Sequence, residues 1–191
     1  MVFTIAACFE LPSGAAAAAS AAGLAAATAS PLLRLGGAAA VTISTPGVLL
    51  DESGAAELEE SATVRPGAAE VLRQLLSTGG KGPAVYLLTH VEGDVGEAVV
   101  RGALEHAGLV GPARGQLPPH RLLFCSTPEG KVSIVRQVEP DVHFDAQWET
   151  IWELQRFMKR LVYVSAAGGD VPGQASSNVQ RTASFAGFFG R

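Results

Sequence analysis

At 191 residues the chain suits one domain with tails; 48% of it is apolar, but many of those residues are alanines that bury little area, so a core has to come from the Leu, Val, Ile and Phe clusters beginning after Val41. A formal net charge of −4 without a basic run argues against a nucleic-acid partner, because binding phosphates needs concentrated Lys and Arg. Neither Cys8 nor Cys125 has a Cys or His at zinc-ligand spacing, so no metal site is expected, and such sparse cysteine use fits a reducing compartment such as the cytosol.

Residues 11–33 carry no charge between Glu10 and Arg34 and are mostly Ala, Ser, Gly and Thr. About 20 apolar residues are needed to cross a bilayer. The segment is long enough, yet alanine contributes little transfer energy, and Gly14, Gly23 and several hydroxyls dilute it further. Residues 1–38 read as a low-complexity linker, with a degenerate membrane anchor as the alternative. No Lys or Arg precedes the segment, as a secretory signal requires, and it lacks the arginines of a transit peptide.

From residue 39 the pattern changes. Apolar runs at 39–44, 84–89, 121–126, 142–145 and 161–165 are short and nearly continuous, as in strands buried on both faces of a parallel sheet. Helical periodicity falls between them. Glu57, Glu59 and Glu60 read as a solvated helix face, with a contact for a basic partner patch as the alternative. Pro66 opens a helix over 66–76 that Gly79 and Gly80 stop. A second runs from Asp94 to His106 and ends at Gly108. A third over 129–138 stops before Pro140, and a fourth over 147–159 places Ile151, Leu154 and Met158 on one side. Alternating strands and helices predict an α/β, three-layer Rossmann-like domain over 39–165, with a mostly parallel sheet of about five strands. Residues 166–191 form a tail, Gly/Ser-rich and mobile to about Arg181, then carrying Phe185, Phe188 and Phe189, which dock on the domain or on a partner.

In such sheets function gathers at the carboxyl ends of the strands. Here those ends are 44–47, 89–94, 126–131 and 145–148. They resemble in outline the core of haloacid-dehalogenase-like phosphatases, which place Asp-x-Asp-Gly after the first strand, then a Thr or Ser, a Lys and an acidic loop. Thr89, Lys131 and Asp145, with Asp141 nearby, match the later positions. The first position reads Ser44-Thr45-Pro46-Gly47. The reaction needs a carboxylate nucleophile and a second carboxylate beside Mg²⁺. Ser44 lacks a neighbouring base in sequence, and Pro46 neither transfers a proton nor binds metal. No catalytic residue and no cofactor are therefore assigned, and a phosphatase or phosphate-binding relic is the alternative function. Gly130-Lys131 lacks the first Gly and the Ser/Thr of a phosphate loop. His90, His106, His120 and His143 are scattered, and His143, inside a strand, reads as a satisfied core histidine.

A more specific resemblance lies in Leu122-Leu123-Phe124-Cys125-Ser126-Thr127, Glu129-Gly130-Lys131-Val132-Ser133 and the run from Val135-Arg136-Gln137 through Glu139-Pro140-Asp141-Val142-His143-Phe144-Asp145. Gly47-Val48-Leu49-Leu50-Asp51-Glu52 and Ala62-Thr63-Val64-Arg65 extend it upstream. Leu154-Gln155-Arg156-Phe157, Arg181-Thr182-Ala183-Ser184 and Phe188-Phe189-Gly190 extend it downstream. Together they resemble the plant peroxin-22 (peroxisome biogenesis protein 22) family over roughly 41–190, more weakly around 80–120. The resemblance implies a non-catalytic adaptor at the cytosolic face of the peroxisomal membrane. Such an adaptor tethers and stimulates the ubiquitin-conjugating enzyme peroxin-4, so that the import receptor is ubiquitinated and recycled. The family's amino-terminal anchor is not matched well by residues 1–38.

Partner-binding candidates come from the chain itself. Trp148 and Trp152 stand four apart beside the stripe of the fourth helix, as interface anchors or as sheet-edge core. Arg136, Glu139 and Asp141 lie in the best-matching run, as partner contacts or as local hydrogen-bonding groups that fix the loop.

Overall fold

A computed structural model describes residues 31–166 and 175–191. Most of the alanine-rich segment, residues 1–30, lies outside the described residues, as do residues 167–174. Six strands form one all-parallel sheet in the order β3-β2-β1-β4-β5-β6. They are β1 (Ala40–Ser44), β2 (Ala84–His90), β3 (Leu122–Cys125), β4 (Val142–Asp145), β5 (Leu161–Val164) and β6 (Val179–Thr182). The architecture is the three-layer Rossmann-like α/β domain that the strand–helix alternation predicts, with one strand more.

One face is covered by α1 (Pro31–Leu35), α2 (Pro66–Ser77), α3 (Asp94–His106) and α6 (Phe185–Phe188). Leu72 and Leu75 of α2 and Val100 and Leu104 of α3 pack there with Val41, Ile43 and Phe144 of the sheet. The other face is covered by α4 (Pro128–Val138) and α5 (Trp148–Leu154), whose Val135, Ile151 and Leu154 meet Leu88 and Leu161. Thr127 caps α4 by accepting a hydrogen bond from Gly130 N at 3.0 Å, with Pro128 at the first helical position. Glu59 caps α3 from a distance: its Oε1 accepts from Gly93 N at 3.0 Å and Gly96 N at 3.1 Å.

Two expectations need correction. The fourth helix stops at Leu154 rather than near 159. The chain has to turn there into β5, and Asn178 Nδ2 donates to the carbonyls of Gln155 (2.8 Å) and Met158 (2.7 Å), satisfying acceptors that lie beyond the last turn of the helix. The ordered domain also does not end at 165. Residues 179–182 form β6 beside β5, with Leu161 opposite Val179, so that part of the expected mobile tail is a strand. Val-Gln-Arg-Thr offers one aliphatic side chain, as an edge strand can, and so gives no apolar signal. Phe185, Phe188 and Phe189 dock on the domain itself. Phe144 meets Phe185 at 5.1 Å and Phe188 at 5.0 Å, both edge-on, an arrangement that adds to the large area each ring buries.

Candidate functional site

The sheet order puts a topological switch between β1 and β4. The chain runs from β1 outward through β2 and β3, then returns to the other side of β1. Loops leaving the two central strands part in opposite directions and leave a crevice at their carboxyl ends. With Ile43 opposite Phe144, the last residues of the two strands, Ser44 and Asp145, become neighbours.

Side chains alternate along both strands. Val41 and Ile43, like Val142 and Phe144, enter the large apolar core. Thr42, Ser44, His143 and Asp145 point the other way, under α4 and α5. Each of the four is fully buried, and the polar atoms answer one another. Thr42 Oγ1 is 2.8 Å from His143 Nδ1. Ser44 Oγ donates to Asp145 Oδ2 at 2.7 Å. Lys131, one turn into α4 and also fully buried, puts its Nζ 2.8 Å from the same oxygen. His143 Nε2 lies 3.3 Å away, without the geometry of a hydrogen bond. The chain leaving β4 completes the set: Gln147 N donates to Asp145 Oδ1 at 2.8 Å, and Gln147 Oε1 accepts from Lys131 Nζ at 2.8 Å. Beside them Thr45 and Thr89 share a hydroxyl–hydroxyl bond of 2.6 Å, both fully buried.

The loop after β1 closes over this cluster. Thr45 O accepts from the amides of Leu49 and Leu50 at 3.0 and 2.9 Å, and the side chains of Val48, Leu49 and Leu50 are buried. Gly47 makes the turn in the left-handed region at φ +69°, with a space in which an added Cβ would stand 2.7 Å from Ala146 Cβ. Gln147 Nε2 reaches Ser53 O at 3.5 Å, linking the loop to the far side of the crevice.

Burial alone would push the Asp145 carboxyl up. The Lys131 ammonium and the His143 ring outweigh it, and the carboxyl is held well below the usual carboxylate range. So weak a base cannot take the proton of Ser44. Lys131, the cation a phosphate ester would need, is already neutralised by Asp145. Burial pushes the Cys125 thiol up to about 11, against the Lys131 charge and with that of Asp145, which leaves it a poor nucleophile. Among the described residues no three His, Cys, Asp or Glu side chains stand together as metal ligands.

The carboxyl-end residues Ser44, Thr89, Lys131 and Asp145 are therefore brought together as expected. Thr42, Thr45, His143 and Gln147 belong with them. The signal for the two strand residues is polar side chains at every second position of otherwise apolar strands.

The five partner-binding candidates are not brought to one place. Arg136 and Glu139 lie at the carboxyl end of α4 and Asp141 just before β4, at the opposite end of the sheet from the crevice. Arg136 stacks over the half-exposed Phe157 ring at 4.2 Å. Glu139 ends α4 in a left-handed conformation, φ +50°. Asp141 Oδ2 accepts from the amides of Ala39 and Ala40, and its Oδ1 pairs with Lys159 at 2.8 Å. The Lys159 bond and then those amides lower its pKa, so Asp141 ties β1 to β4. Trp148 is half-buried against Tyr163, ring centroids 5.4 Å apart, while Trp152 is 44% exposed.

No helix of the described residues is long and apolar enough to cross a membrane. The chain is 39% identical over 150 residues to Peroxisome biogenesis protein 22 of Arabidopsis thaliana, an alignment covering 78% of this chain and 50% of that one; the chain thus spans about half the length of this curated relative. The solved structure of DsGPDH of Dunaliella salina superposes with a TM-score of 0.53 over 82% of this chain and 29% of its own, at 13% identity, a likeness of fold alone. The family described as peroxisome biogenesis protein 22, haloacid dehydrogenase-like domain, matches residues 40–188. The chain belongs to that family, and the sheet with its sealed crevice is the family's haloacid dehydrogenase-like domain.

Proposed function

We propose that this domain is a non-catalytic adaptor that binds the ubiquitin-conjugating enzyme peroxin-4 at the cytosolic face of the peroxisomal membrane and stimulates it in recycling the import receptor. Membership of the peroxisome biogenesis protein 22 family supports a role in peroxisome biogenesis. The adaptor reading rests on one observation above the rest: at the switch point, where a phosphatase of this fold keeps its nucleophile, Ser44 donates a hydrogen bond to a buried Asp145 already paired with Lys131. The site is charge-balanced and closed, so the surface is left to do the work. Co-elution of the whole chain with peroxin-4, followed by a ubiquitin-discharge assay with and without it, is the direct test. Complex formation with faster discharge is expected. Absence of a complex and unchanged discharge would remove the reading, as would turnover of a generic phosphate ester with Mg²⁺ above a blank.

A further inference from the structure

The outer layer of the domain carries an unpartnered surface of definite chemistry. Buried Thr150, Ile151 and Leu154 fix α5 against the sheet and turn Glu149, Trp152 and Glu153 to solvent. Between α5 and α4 runs an open groove of about 380 Å³ lined by Pro128 and Val132 and flanked by Glu129, Glu149 and Glu153. None of these three carboxylates has an ion-pair partner among the described residues, whereas the exposed acids Glu70 and Glu97 do. Trp152 is 44% exposed, and its ring tilts against Trp148 with centroids 6.1 Å apart. It is a large apolar side chain held by an indole that is itself packed on Tyr163. Pre-ordered aromatics of this kind supply contact area at low entropic cost and are enriched among the residues that dominate protein interfaces.

We propose that the outer face of α5, together with the α4–α5 groove, is where a partner protein seats, and that the partner presents an apolar socket for Trp152 flanked by lysine or arginine side chains. The proposal rests on the adaptor reading and gives it a surface. Charge complementarity selects this occupant. An acidic or phosphorylated partner would meet three carboxylates that have no ion-pair partner among the described residues, and a purely apolar one would leave them desolvated without a cation. The groove is the centre of the contact, since a stable interface covers about 800 Å² on each partner.

The test measures the affinity of the whole chain for peroxin-4 at two ionic strengths, for wild type, Trp152→Ala, the charge-reversed pair Glu149→Lys/Glu153→Lys, and Val95→Ser. Val95 is an exposed residue of α3 on the opposite layer. All substitutions are at exposed positions, and unchanged circular dichroism and melting confirm that the variants fold. About a tenfold or greater loss is expected for Trp152→Ala. The charge-reversed pair should bind more weakly and lose the salt sensitivity of the wild type, and Val95→Ser should bind as wild type. Wild-type binding that neither the tryptophan nor the charge reversal weakens would overturn the surface and leave the adaptor reading standing. Failure of the wild type itself to bind would overturn both.

Discussion

Lys131 Nζ and Asp145 Oδ2 stand 2.8 Å apart, and neither side chain reaches solvent. The pair joins α4 to the last residue of β4, and Ser44 and Gln147 complete its hydrogen bonds. Removing one partner leaves the other charge buried and unanswered, at a cost of about 3–5 kcal/mol, a large share of a typical ~5–15 kcal/mol stability. Lys131→Met and Asp145→Asn should each lower the urea midpoint accordingly, while the double variant should lose less than the sum of the two. Additive losses in a double-mutant cycle would show that the pair is not the unit described.

The same pair sets a pH dependence. The Asp145 carboxyl has an ordinary pKa of 3.8 and is held well below it in the fold. A depressed folded pKa contributes stability that is complete above the unfolded value and is lost as pH falls toward the folded one. The bonds from Lys159 and the amides of Ala39 and Ala40 lower Asp141 with the same sign. Glu52, which burial would raise, is lowered by its bonds from Thr63 and Ser61. Urea midpoints should therefore hold down to about pH 5 and fall steadily below about pH 4. The slope should be shallower in Lys131→Met/Asp145→Asn, with Asp141 and Glu52 accounting for what remains. An identical slope in both proteins would refute the assignment.

How far these features could be read from the sequence depended on whether the signal was local. β1, β2, β3, β4 and β5 announce themselves as apolar runs bounded by turn residues. The polar residues of Val-Thr-Ile-Ser and Val-His-Phe-Asp were visible too, but which hydroxyl meets which carboxylate follows from β4 lying beside β1, a fact of strand order. The burial of Lys131 was hidden for the same reason, since one turn into a helix a lysine reads as solvated. β6 has no periodic signal because its partner strand, not its composition, makes it a strand. The early end of α5 depends on Asn178, more than twenty residues downstream in the chain.

The carboxyl-terminal phenylalanines now read as core. Phe188 is 4% exposed and packs edge-on to Phe144, with Arg160 stacked 5.2 Å from its ring. Phe188→Ala should cost about 3–5 kcal/mol. Phe157→Ala removes a ring that is 51% exposed and mainly covered by Arg136, and should cost no more than about 1 kcal/mol. Thermal melts of the two variants give the comparison. Equal melting points would return the tail to the status of a loose appendage.

Gly47 and Gly36 separate backbone strain from crowding. Both adopt left-handed φ, +69° and +62°. An added Cβ at Gly36 meets nothing within 4 Å, whereas at Gly47 it would stand 2.7 Å from Ala146 Cβ, in the turn that roofs the buried pair. Gly36→Ala should therefore cost only the conformational strain, about 1 kcal/mol. Gly47→Ala adds the displacement of Ala146, which lies between Asp145 and Gln147, and overpacking of this kind costs about 1–3 kcal/mol more. If the turn moves to make room, Gln147 moves with Ala146 and the amide protecting Asp145 Oδ1 is exposed. Hydrogen exchange at Gln147 N should then accelerate in Gly47→Ala and stay unchanged in Gly36→Ala. Equal stability losses with equal protection in the two variants would mean that the roof of the crevice has slack, and that the closed site does not depend on the fit of this turn.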